Sequence, residues 1–273
     1  MKFSVGKITL GLSLYRGGQN QSILSAAEME EAIGLGQQLS GRYFLNLNSA
    51  RMSPGIGVGP QNPTRKILAE VSKITDSGRL EFDEAKFASM YNSMKRNRVG
   101  QKIGDLGIRA QRIQNFPVWS YVPPWDSGCA SEKFADYPKK VKRNRALNGL
   151  QIEVDDPQLI MVFDAENSGA SHAEQFSKLF SSIFAHGYDP DWENNDPLSA
   201  SILVDSKSWC WRLDSGHHRV LTAAALGLTE LPVFVTRVVA SDTARFWPGV
   251  LNGDYSEDQA IHHLNDVIAG RIG

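Results

Sequence analysis

The chain has 273 residues, 41% hydrophobic and 22% charged, with a formal net charge of −1. That apolar content can bury a core and excludes wholesale disorder, while the near-neutral balance argues against a protein that grips nucleic acid through a basic face. The two cysteines, Cys129 and Cys210, lack C-x-x-C or zinc-ligand spacing, and no apolar stretch reaches membrane-spanning length.

The opening "MKFSVGKITLGLSLYRGGQ" reads as a strand and not as a signal peptide, because its hydrophobic length is short and no cleavage site follows. A cytoplasmic protein without a membrane partner is the expectation. A helix is predicted in "SAAEMEEAIGLGQQL", then a glycine- and proline-rich loop in "RMSPGIGVGPQNPTRK". Its "GIGVG", Gly55 to Gly59, has no clear strand before it and is read as a flexible loop, not a dinucleotide site. A second helical pattern, "FDEAKFASMYNSMKRNRVGQKIGDLGI", carries a basic run at 95–102 read as solvated surface. Composition changes near residue 115, which divides the chain into an N-terminal mixed extension, 1–115, and a main domain, 116–273.

The segment Phe116 to Leu150 is aromatic and proline-rich, then basic, and is expected to be a long irregular connection of the kind that carries function. Its run Lys139, Lys140, Lys142, Arg143 and Arg145 is either a solvated helix face or a strip facing phosphate. Arg143 and Arg145 are therefore secondary candidates. In "SHAEQFSKLFSSIFAHG", Ser171 and Glu174 have capping-box spacing, Phe176, Leu179, Phe180, Ile183 and Phe184 share a face, and Gly187 falls at the C-cap. Ser256 and Gln259 repeat the capping signal before a stripe of Ile261, Leu264, Val267 and Ile268. His262 and His263 have no third ligand in view and read as helix-surface histidines.

Between those helices, "ASILVDS" and "SWCWRL" read as strands, with Cys210 a small buried hydrophobe. The chain turns at "DSG", "HHRVLTAAALG" has helical spacing, and "LPVFVTRVV" is a further strand. Strand, turn, helix and strand place Gly216, His217, His218 and Arg219 at a helix N-terminus, where free N–H groups and the helix dipole favour an anion. Gly216 allows close backbone approach and Arg219 offers a planar fork to phosphate oxygens. Asp214 would hold a metal or orient a histidine. By spacing alone, Asp214 capping the helix and a phosphate site are equal alternatives.

"LDSGHHRVLTAAALGLTELPVFV" resembles the signature of the ParB/sulfiredoxin-fold superfamily. There an acidic residue, Gly, His or Glu, His or Arg, and Arg precede an alanine-rich helix and an "LG…PV" strand. The resemblance takes in the amphipathic helix ending in "HGYDP" and the strand "ILVD", and spans Ser171 to Val239. Ser215 departs from the pattern by standing between the acid and the glycine. The resemblance implies an α/β (α+β) domain with a mixed sheet and flanking helices, binding a nucleoside di- or triphosphate (ATP, ADP or CTP) with Mg2+.

Two branches of the superfamily fit poorly. Sulfiredoxin chemistry needs a cysteine where His217 stands, and a partition protein needs a DNA-reading region after the motif. No specific DNA binding is expected. The two-histidine form is most similar to the branch of free-serine kinase, which implies phosphoryl transfer to a small-molecule, hydroxylated acceptor. That branch carries a catalytic acid in the loop before the amphipathic helix, which the resemblance places at Asp126 of "SYVPPWDSG"; an ordinary loop cap is the alternative. His217 and His218 compete with Asp126 for the role of base. "FWPGVLNGDYSEDQAIHHL", "PPWD" and "RNRALNG" are similar to uncharacterised ParB-like proteins of surface-polysaccharide gene clusters. A regulatory nucleotide-binding module without chemistry and a CTP-dependent DNA-binding protein are the rival functions.

Overall fold

The computed structural model describes residues 2–5, 8–11, 24–34, 39, 41–147, 149–190 and 197–272. The opening segment holds two strands instead of one: β1 (Lys2–Val5) and β2 (Ile8–Gly11) pair antiparallel, Lys2 opposite Gly11. The remainder of that stretch, 12–23, lies outside the described residues, as do 35–38 of the first predicted helix, which forms α1 (Ala26–Gly34). Then come β3 (Gly41–Asn46), β4 (Ala50–Met52) and β5 (Ile56–Gly57). The glycine loop thus contributes a short edge strand, and Val58 is buried. Asn62 caps α2 (Pro63–Val71) by accepting from Thr64 and Arg65 N–H, with Pro63 at the first helical position. A small hairpin, β6 (Ser72–Ile74) and β7 (Leu80–Phe82), leads to α3 (Glu84–Val99), capped by Asp83.

Much of the segment expected to be irregular is helix. Residues 117–129 form a loop with one 3-10 turn, and α4 (Ala130–Leu147) takes up the rest, with Pro138 inside it. Next come α5 (Pro157–Asn167), capped by Asp156, and α6 (Gly169–His186). Ser171 is therefore no cap: Ser168 holds the cap position of α6, hard against the end of α5, and Ser171 lies inside the first turn. Gly187, at φ 82°, does close the helix. β8 (Ser199–Val204), β9 (Trp209–Leu213), α7 (His217–Ala225) and β10 (Glu230–Ala240) follow as the strand–turn–helix–strand pattern predicted. The chain ends in α8 (Pro248–Leu251) and α9 (Glu257–Ile268), whose Ser256–Gln259 capping box forms as expected.

The architecture is α+β. One mixed sheet runs β3-β10-β8-β9-β4-β5, with β8/β10 and β4/β9 parallel and the other pairs antiparallel. β3 to β5, which precede residue 115, share this sheet with β8 to β10, which follow it. Strand alternation sends Ala200, Ile202, Trp211, Leu213, Val233 and Val235 to one face, where they join Phe176, Phe180 and Val220 in the larger core. The opposite face carries Leu203, Cys210 and Val239, packed with Leu264, Val267 and Trp247. Cys210 is fully buried, and burial pushes its thiol up to about 12, so it is inert packing.

α3 and α6 approach closely at Gly169. A Cβ there would lie 2.6 Å from Asn92 Oδ1 and 2.9 Å from the Ala88 carbonyl carbon, and the latter is backbone. Gly169→Ala should therefore cost about 2–3 kcal/mol by overpacking, read as a lower urea midpoint at unchanged m-value. An unshifted midpoint would show that the two helices separate freely at this crossing.

Candidate functional site

The turn after β9 is built on backbone. Asp214 and Ser215 N–H both donate to Ser199 O, at 2.9 and 3.2 Å. Gly216 then takes the left-handed conformation, φ 83° and ψ 24°, and a Cβ would sit 2.5 Å from Leu198 Cδ1. Both facts call for glycine. Among the described residues no side chain caps α7, whose first internal bond is Val220 N–H to Gly216 O at 3.1 Å. The N-terminal N–H groups of α7 are left without a capping side chain, at the positive end of the helix.

Asp214 does not cap because its carboxylate is engaged elsewhere. Oδ1 accepts from Arg212 Nη2 at 3.0 Å; Oδ2 accepts from the Ser201 hydroxyl at 2.8 Å and lies 2.9 Å from Thr236 Oγ1. Arg212 also donates twice to Asp126, Nη1 to Oδ2 at 2.8 Å and Nη2 to Oδ1 at 3.0 Å. Arg237 donates to Asp126 Oδ1, to Ser201 Oγ at 3.1 Å and to Trp125 O at 3.2 Å. A bulge in β10 between Val235 and Arg237 makes this possible, since the extra residue lets Thr236 and Arg237 both reach the same face of the sheet. Arg212 is held at 9% side-chain exposure, the two carboxylates at 25%.

The loop carrying Asp126 is also pinned to the C-terminal segment at Gly249 and Tyr255. Gly249 N–H donates to Pro124 O at 2.8 Å, Tyr255 OH donates to Val122 O at 3.0 Å, and Asp126 N–H donates to Pro123 O at 3.1 Å. Trp125 is buried between Trp247 and His263, with the Arg212 guanidinium 6.0 Å from its ring. His263 is thus a core residue, not a surface histidine: its Nε2 meets Tyr121 OH, and burial pushes its pKa down to about 3. His262 does lie outward, 3.2 Å from Asp266.

The two histidines of the turn part company. His218 Nε2 lies 2.8 Å from His172 Nδ1 of α6, and burial holds them at about 4 and about 3, so both are neutral near pH 7. His217 lies within electrostatic reach of Arg212 and Asp214. Its pKa is lowered by burial first and by Arg212 second, with Asp214 opposing. Arg219 is only 8% exposed, its guanidinium beside the Gly216 turn.

The other candidates are dispersed. Arg143 is exposed on α4, whereas Arg145 pairs with the buried Asp164 at 2.7 Å. The basic run at 95–102 is not all solvated surface, because Lys95 shares Asp164, also at 2.7 Å, and Arg98 is half-buried. Among the described residues no group of three His, Cys, Asp or Glu side chains is placed to hold a metal, and both Asp214 oxygens are already bonded.

Arg212, Arg237, Ser201, Thr236 and His172 were not singled out from sequence. Two carried a local signal: arginine on the alternating "SWCWRL" and on the β-branched "VFVTRVV" is a charge placed on a buried sheet. No helix among the described residues is long and apolar enough to cross a membrane. Comparison with family models, curated proteins and solved structures finds no match.

Proposed function

We propose that the chain is a nucleotide-dependent phosphotransferase. It binds the phosphates of ATP, ADP or CTP at the uncapped N-terminus of α7 and passes the terminal phosphoryl group to a small hydroxylated acceptor. The observation that carries this reading is Arg212: by holding Asp214 and, 86 residues away, Asp126 at once, it brings the glycine turn and the proline loop onto one site. Phosphoryl transfer asks chiefly for positioning and charge neutralisation. The α7 N–H groups supply the first, and Arg237, with 43% of its side chain exposed, supplies the second.

In the transfer, the acceptor oxygen bonds to phosphorus and the bond from phosphorus to the bridging oxygen breaks, its electron pair leaving on the nucleotide. The acceptor proton goes to His217, which its surroundings keep neutral. Asp126 is the weaker candidate for base because guanidinium donors occupy both its oxygens; its role is to hold Arg212 and Arg237 in place.

Calorimetry with ATP, ADP and CTP tests the reading. Arg237→Gln removes an exposed cation and should weaken the nucleotide that binds by roughly ten- to a hundredfold. Binding of none of the three to the unaltered protein, or equal affinity in the variant, overturns it.

A further inference from the structure

A cavity of about 350 Å³ lies between α3, α4 and the segment around Trp119, apart from the turn. Tyr91, Trp119 and Tyr137 give it flat walls, Trp119 stacking on Phe134 at 5.2 Å between centroids. Its charged members are all cations, Lys95, Arg98 and Lys133, with no carboxylate among the described lining residues.

The three cations are not equally satisfied. Asp164 answers Lys95. Lys133 Nζ donates to one neutral acceptor, Tyr121 O at 2.6 Å, which leaves two of its three N–H groups without a hydrogen bond among the described residues. The Arg98 guanidinium has no side-chain hydrogen bond or ion pair among the described residues, although burial is enough to lower its pKa. Burial lowers that of Lys133 too, with Asp126 opposing. Lys133 Nζ also lies 5.8 Å from the centre of the Tyr137 ring, one of the cavity walls. Half-buried cations beside an aromatic cavity are costly unless something accepts from them. A neutral ligand would leave Arg98 without a counter-charge and Lys133 with only the Tyr121 carbonyl and the Tyr137 ring, whereas an acid group has enough lone pairs for both cations.

We propose that this cavity binds a small organic anion: a carboxylate or phosphate, held by Arg98 and Lys133, on a flat apolar body that packs against Trp119 and Tyr137. The volume is near the lower end for small-molecule pockets and suits a ligand of about one ring. The inference stands whether or not the α7 turn binds nucleotide.

The probes are phenyl phosphate and benzoate, with benzyl alcohol as the neutral analogue, titrated calorimetrically into the whole chain. At least one acid should bind, benzyl alcohol should not, and Arg98→Gln and Lys133→Gln should each weaken the acid tenfold or more. Arg98→Gln removes an unpaired charge, and its thermal midpoint serves as the check on folding. Arg237→Gln, which alters the turn and not the cavity, should leave acid affinity unchanged. Failure of both acids to bind, equal affinity in the Arg98 and Lys133 variants, or a loss confined to the Arg237 variant overturns the assignment. Failure of nucleotide binding in the same preparation bears only on the turn.

Discussion

Arg212→Met should destabilise the fold by about 3 kcal/mol, the lower end of what removing one partner of a buried ion pair costs. The lower end applies because both carboxylates keep 25% side-chain exposure, so water relieves part of the charge left behind. Methionine preserves much of the length and the apolar packing against Trp125, so the loss reports the guanidinium itself. In a chain of this size that amounts to roughly 6–12 °C in Tm. Arg212→Lys keeps the charge but not the planar fork, and one ammonium cannot reproduce three donors aimed at two carboxylates. It should fall between the two. A methionine variant within about 1 kcal/mol of the parent would show that Arg237, Ser201 and water already satisfy Asp126 and Asp214, and that Arg212 does not tie loop to turn.

The same arginine marks the limit of what could be read without coordinates. Strand, glycine turn, alanine-rich helix and strand were legible because each is set by neighbours in sequence: alternation in "SWCWRL", a left-handed glycine at Gly216, β-branched residues in β10. The Ser256–Gln259 box was legible for the same reason. The Ser171–Glu174 pair has identical spacing yet lies inside α6, since Ser-x-x-Glu also fits a helix interior and the true start is set by Ser168 at its junction with α5. Pro138 hid α4, because a proline counts as a breaker locally although its neighbours continue the helix. Lys95 reads as solvated, and Arg145 as solvated or phosphate-facing, because Asp164, their common partner, is 69 and 19 residues away. Long-range pairing also decides the site. That Asp126 meets Arg212 and Arg237, and that Asp214 turns to Ser201 and away from the α7 N-terminus, depends on a bulge in β10 and on a loop pinned by Gly249 and Tyr255. No spacing in the sequence encodes those contacts.

His217→Ala should lower the single-turnover rate of phosphoryl transfer by roughly 10²- to 10⁴-fold, the usual contribution of a positioned base, and leave nucleotide affinity nearly unchanged. The distinction follows from the turn: phosphates meet backbone N–H groups, which alanine retains, whereas the acceptor proton needs the imidazole. The pH dependence adds a second signature. Burial and Arg212 hold the His217 pKa below its ordinary value, so the neutral, proton-accepting form persists as pH falls below 6.5. The rate should stay level through neutral pH and drop only on the acid side of the ordinary histidine range; an unperturbed imidazole would already be half-inactive near pH 6.5. His218→Ala should act differently. It removes the partner of His172 Nδ1 at 2.8 Å inside the protein, so its cost should appear first in stability. Asp126→Asn should lower the rate less than His217→Ala, through looser arginines and not through loss of a base. Single-turnover rates at saturating nucleotide, taken across pH for all three variants, separate these roles. If Asp126→Asn alone abolishes the step and His217→Ala turns over normally, the carboxylate takes the proton despite its two guanidinium partners, and the imidazole is merely a neighbour of the phosphates.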